Sequence, residues 1–166
     1  MESADLVVVM MGVTGSGKTT VGQLLAGQLG WEFADADQFH SPANVSKMRQ
    51  GIALTDADRE PWLAALRDAI VCWLVDGKNA IVACSALKES YRKKLGIGGE
   101  IRLVYLKGSY DLIASRLQER HGHFATEAIL ADQFANLEEP EDAMTVNIRR
   151  FPLEIVAEIR SGLGLK

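Results

Sequence analysis

Residues Gly12-Val13-Thr14-Gly15-Ser16-Gly17-Lys18-Thr19 match the spacing G-x-x-x-x-G-K-[ST] at every fixed position. Each position has a chemical use. The glycines let the backbone curl so that successive N–H groups converge on an anion. A helix that starts directly afterwards adds unpaired N–H groups and the positive end of its dipole. Lys18 is long enough to reach the β- and γ-phosphates, the Thr19 hydroxyl can ligate magnesium, and Thr20 continues the first turn. The stretch reads as a loop that binds a nucleoside triphosphate with Mg2+. It does not say what receives the phosphate.

Candidates for the acceptor side lie elsewhere. In "FADADQFH", Asp35 and Asp37 are two residues apart and point the same way if the chain there is extended. One carboxylate can hold a metal-bound water and the other can take the proton of an attacking hydroxyl. Asp37 is assigned as the base and Asp35 as the metal-side residue. "HSPANVSKMRQG" supplies His40, Lys47 and Arg49, and "DADREPWL" adds Arg59. Several donors in one segment suit a small anionic acceptor such as a carboxylate, with Arg favoured for a bidentate grip. In "CSALKESYR", Ser85 and Lys88 follow an apolar run; Ser85 reads either as a ligand contact or as a helix cap. Arg116 and Arg120 in "SRLQERHGHF" share a helix face ahead of a glycine-containing break. Such a pair could ride on a mobile cover and neutralise charge in the transition state. His121 and His123 read as cover residues or solvated ones, not as metal ligands.

These groups need elements to hold them, and the pattern alternates strand and helix. "DLVVVMM" (Asp5–Met11) is a valine-rich run suited to a strand covered on both faces. A helix should run from Lys18 to Leu29 and stop at Gly30. "WEFAD", "AIVACSA", "IRLVYL" and "AMTVNI" are the other strands. Ser41-Pro42 starts a helix ending near Gly51. Residues 58–75 form an amphipathic helix with Leu63, Leu66, Ile70, Trp73 and Leu74 on one face. Further helices are expected over Ser109–Arg120, from a Thr126 cap to before Pro140, and from Pro152. The alternation implies an α/β fold, a parallel sheet with helices on both faces. Ligands then bind beyond the carboxyl ends of the strands, where Gly12–Thr19, Asp35–His40, Ser85–Lys88 and the segment after "LVYLKG" fall, with Lys47, Arg49 and Arg59 in the segment that joins the second strand to the third over that edge.

The chain has 166 residues, enough for one domain, with 48% apolar and 24% charged residues. A net charge of −4 disfavours nucleic acid as a partner. Cys72 and Cys84 sit in apolar runs and read as two buried small hydrophobes. No leader pattern and no apolar run long enough to span a membrane is found, so no membrane association and a cytoplasmic location are expected.

Over most of its length, from the first strand through Pro140, the chain resembles the gluconokinases. The residues that carry this are "GVTGSGKTT", "DADQFHSPANVSKMRQGIALTDADREPWL", "CSALKESYR" and "RLQERHGHFATEAILADQFANLEEP". The resemblance implies phosphate transfer from ATP to D-gluconate, with Mg2+. It implies a shikimate-kinase-like P-loop fold, a three-layer arrangement with strand order 2-3-1-4-5, a short lid over about 116–137, and a homodimer. Thr14 and Asp132 stand where the family commonly has serine, and the third strand ends without a clear magnesium-binding aspartate. Two other classes remain open at this point: a kinase for another small hydroxy acid such as shikimate, and a nucleotide-binding switch with no acceptor. A switch needs neither the carboxylate pair nor the basic segment.

Overall fold

The computed structural model describes residues 6–121 and 124–165, with the side chains of residues 120–127 also outside the described set. Five parallel strands form one sheet: β1 (Val7–Met11), β2 (Glu32–Asp35), β3 (Ala80–Ala83), β4 (Ile101–Lys107) and β5 (Met144–Asn147). Their spatial order is β2-β3-β1-β4-β5. The order expected from the family resemblance is therefore observed. The register aligns Val7 with Ala80 on one side and with Ile101 on the other.

β1 is the central strand, and all five of its side chains are fully buried. Side chains alternate across a strand, so this one strand feeds two cores. Val8 and Met10 join Ile81, Val104 and Leu106 beneath α1 (Lys18–Leu29), α5 (Tyr110–His121) and α7 (Pro152–Leu163). Val7, Val9 and Met11 join Val82, Leu103 and Tyr105 beneath α3 (Asp56–Val75) and α4 (Glu89–Leu95). α2 (Pro42–Arg49) and α6 (Phe124–Asn136) complete the helices among the described residues. Leu130 of α6 enters the first core with Ile113 and Leu117 of α5. No described helix is long and apolar enough to cross a membrane.

Some local expectations shift. α3 starts at Asp56 rather than residue 58, because Thr55 and Asp58 close a reciprocal capping box ahead of it. α6 starts at Phe124, so position 126 lies within the helix rather than ahead of it. α4 starts at Glu89, in a segment where the sequence offers no more than Ser85 as a candidate cap. Cys84 is buried as expected, but Cys72 is exposed. The apolar run around Cys72 wraps fully around a helix: Leu66 and Ile70 face the core, while Val71 and Val75 face out.

In this order the chain leaves β1 toward β2, returns to β3, and then crosses to β4 on the far side of β1. The loops after β1 and β3 meet at that reversal, and the Gly12 N–H donates to the Ser85 carbonyl at 3.4 Å. A crevice at this position is where an open parallel sheet binds ligands.

Candidate active site

The phosphate loop fills the gap between β1 and α1. Gly15 (φ 78°) and Gly17 (φ 96°) adopt left-handed backbone that a side chain would strain. No side chain caps α1. Its first-turn N–H groups, which a Ser or Asp cap would otherwise occupy, are left for an anion. Ser16 Oγ is buried and has no hydrogen-bond partner within the described protein. A buried hydroxyl without a partner, in a loop that supplies backbone donors, fits the oxygen-rich surface of a triphosphate. Lys18 folds back over the loop, its Nζ donating to Gly12 O at 2.9 Å and Val13 O at 3.0 Å. Burial lowers its pKa, against the opposing pull of Cys84, Asp37 and Asp35. Thr19, Thr20, Asp35, Asp37 and Ser85 join the loop in lining one cleft of about 310 Å³.

Asp35 and Asp37 share this cleft, but not through strand alternation. β2 ends at Asp35, and Ala36–Phe39 form a 3₁₀ turn. Asp35 Oδ1 accepts the Asp37 N–H at 2.9 Å and so caps that turn. The Asp37 side chain is placed by the turn rather than by the pleat. Burial first, then the like charge of Asp35, raise the Asp37 carboxyl above its ordinary pKa, with His40 and Lys18 opposing. A carboxylate made more basic in this way is better suited to accept a proton.

The turn is pinned from α3. Trp62 Nε1 donates to Ala36 O at 2.7 Å, and the His40 ring stacks on the indole at 4.3 Å. Two of the expected acceptor cations converge at a second cluster. Arg59 lies 5.5 Å and Lys88 5.6 Å from the centre of the Tyr91 ring. Tyr91 Oη donates to Asp56 Oδ1 at 2.6 Å, and Lys88 approaches the same oxygen at 3.4 Å. Lys47 does not join them. Its ammonium donates to both oxygens of Asp58 at 3.0 Å, because the capping box has already turned that carboxylate toward α2. Arg49 is exposed at the end of α2. Ser85 does not cap α4, whose cap position is Lys88, and it lines the cleft instead.

On the α5 side of the cleft, Arg116 donates to Ile148 O at 2.7 Å, which ties it to the exit of β5. The side chains of Arg120, His121 and His123 lie outside the described residues. α6 reaches the phosphate loop through Gln133, whose Oε1 accepts the Thr14 N–H at 2.6 Å. Thr14 thus contributes its backbone here, and Asp132 is exposed. The chain just beyond α6 is held by Arg92, which is buried and donates to Ala86 O at 2.7 Å and Glu138 O at 2.8 Å.

Trp62, Tyr91, Asn44 and Gln133 went unnoticed in the sequence. Tyr91 falls in the segment where the sequence offers no more than Ser85 as a candidate cap. Trp62 has the only legible signal, since a core-facing indole needs an acceptor for its N–H.

Comparison with known proteins gives a consistent result. A family model described as an AAA domain matches residues 7–140. The gluconokinase of Gluconobacter oxydans (strain 621H) is 48% identical over 136 residues, covering 81% of this chain and 76% of that protein. The thermoresistant gluconokinase of Escherichia coli (strain K12) is 43% identical over 153 residues, covering 89% and 87%. The crystal structure of a gluconokinase from Sinorhizobium meliloti 1021 superposes with a TM-score of 0.87 at 39% identity, covering 98% of this chain and 94% of that one. With its phosphate loop, strand order and cleft carboxylates, the chain belongs to the gluconokinase family of kinases.

Proposed function

We propose that the protein transfers the γ-phosphoryl group of ATP to D-gluconate, giving 6-phospho-D-gluconate and ADP. The observation that carries this is the shared cleft: Asp37, a carboxylate of raised basicity, opens onto the same space as the phosphate loop. The loop amides, the Ser16 hydroxyl and Lys18 hold the triphosphate, with Lys18 exchanging its two carbonyl partners for phosphate oxygens. Mg2+, held by Thr19 and Asp35, would offset charge on the β- and γ-oxygens. Asp37 accepts the proton of the primary hydroxyl as its oxygen bonds to Pγ. The bond from Pγ to the β–γ bridging oxygen breaks, and its electron pair leaves with ADP. Arg59 and Lys88 hold the gluconate carboxylate in place of Asp56, with His40, Ser85 and Arg49 on the polyol. Arg116 and Arg120 act from the lid, residues 116–137. Because little covalent chemistry is required of the protein, positioning and charge stabilisation supply most of the catalysis.

A single domain, a homodimer and a cytoplasmic location complete the proposal. The dimer is supported by the family resemblance, and the location by the unpaired, exposed Cys72 thiol, which suits a reducing compartment. The test is ADP release from magnesium-ATP with D-gluconate, shikimate, AMP or no acceptor in parallel. A large rise with gluconate alone is expected. Equal rates across all four, with ATP bound tightly, would remove the gluconate assignment in favour of a switch.

A further inference from the structure

His40 stands three residues after Asp37, and its surroundings determine which ring nitrogen carries the proton. Asn44 is buried, at 5% exposure. Its Nδ2 lies 2.8 Å from Asp58 O and 3.2 Å from His40 Nδ1. A main-chain carbonyl can only accept, so the amide atom facing Asp58 O must be the nitrogen. That removes the usual ambiguity of an asparagine side chain. The nitrogen offers one hydrogen to the carbonyl and the other to Nδ1. Nδ1 must then present its lone pair, and in a neutral imidazole the proton sits on Nε2.

The ring has little freedom to escape this arrangement. It stacks on Trp62 with an interplanar angle of 14°. The same indole holds Ala36 O, one residue before Asp37. Burial lowers the pKa of His40 against the pull of Asp37, and Arg59 adds to the lowering. A neutral ring matters to Asp37. An imidazolium alongside would stabilise the carboxylate and weaken it as a base, whereas a neutral ring leaves its basicity intact.

We propose that Asn44 is a positioning residue for phosphoryl transfer: it holds His40 as the neutral Nε2–H tautomer, a fixed donor beside Asp37 for a hydroxyl oxygen of the polyol acceptor. The acceptor's identity rests on the gluconate assignment above; the tautomer does not.

The test begins with nitrogen-15 histidine spectra of the wild-type protein at neutral pH, with the His40 signals assigned by their loss in His40→Gln. A bare Nδ1 and a protonated Nε2 are expected. A protonated Nδ1 in the wild-type protein overturns the proposal whether or not any Asn44 variant folds. Kinetics follow. Asn44→Asp offers Nδ1 an acceptor in place of a donor and should reverse the tautomer or charge the ring. Asn44→Ser, smaller and uncharged, serves if the aspartate does not fold. Either should lower kcat/KM for gluconate by about 10–100-fold, the range for loss of one well-placed hydrogen bond, with the KM for ATP unchanged. His40→Gln, which keeps a donor nitrogen near the Nε2 position, should retain more activity than His40→Asn, which does not. Unchanged gluconate kinetics in the Asn44 variants, or a parallel loss of ATP affinity, overturns the positioning role. If gluconate proves not to be a substrate, the proposed function falls while the spectra still decide the tautomer.

Discussion

Asp37→Asn separates a base from a magnesium ligand. The substitution is nearly isosteric, and the contacts that fix residue 37 run through its backbone: its N–H to Asp35 Oδ1 at 2.9 Å and its carbonyl to the His40 N–H at 3.3 Å. Both survive the change, and the repulsion from Asp35 that raises the wild-type pKa is relieved. The fold should therefore hold to within about 0.5 kcal/mol, the range for substitutions that disturb no packed or bonded feature. Turnover should fall by about 10²–10⁴-fold, what a positioned general base contributes. By the transition-state relation, that is about 3–5 kcal/mol in barrier height. The readout is coupled ADP release at saturating gluconate, with the KM for magnesium-ATP measured alongside. The pH profile gives a second handle. Asp37 acts deprotonated and its pKa is raised, so wild-type turnover should fall with acid at a higher pH than an ordinary carboxylate would dictate. Asp37→Asn should lack that limb. A loss below tenfold or an unchanged acid limb would refute the assignment, and an equal loss of turnover and ATP affinity would place Asp37 with the metal instead.

Arg59→Met should raise the KM for gluconate by about 10–100-fold, the cost of a charge-assisted hydrogen bond, whereas Lys47→Met should leave it within a factor of about three because Asp58 already occupies that ammonium. Initial rates over a gluconate series distinguish the two. Gly15→Ala should weaken ATP binding and lower the melting temperature, since the left-handed backbone costs about 1–2 kcal/mol and the added Cβ would lie 2.8 Å from the Leu117 side chain. Trp62→Phe strands the Ala36 carbonyl and should cost about 1–3 kcal/mol in urea unfolding, with turnover falling as the turn bearing Asp37 loosens. Arg92→Met should destabilise by about 1–3 kcal/mol in the same assay, because the buried Ala86 carbonyl and the half-buried contact to Glu138 O lose their charged donor.

The phosphate loop, the alternation of strands and helices and the identity of both cleft carboxylates were legible in the residues alone. All three depend on local rules. Glycine spacing sets backbone curvature, apolar period sets element type, and a strand's carboxyl end sets which loops carry chemistry. Helix α1 runs from Lys18 to Leu29 as its pattern predicts, since its buried stripe and terminal Gly30 lie within the segment itself. What the tertiary structure decided is how the charged side chains are partnered. Lys47 and Arg59 look equivalent in sequence, yet the Thr55 capping box commits Asp58 to Lys47, while Arg59 and Lys88 meet across Tyr91 from different elements. Asn44 and Trp62 gain their meaning only where α2 and α3 close over the turn after β2. Cys72 shows the same limit from the other side, because an apolar run does not say which of its members face the sheet. Local sequence encodes what a segment can form. Which distant partner satisfies a charge or a buried donor depends on long-range geometry, which exists only once the sheet has assembled.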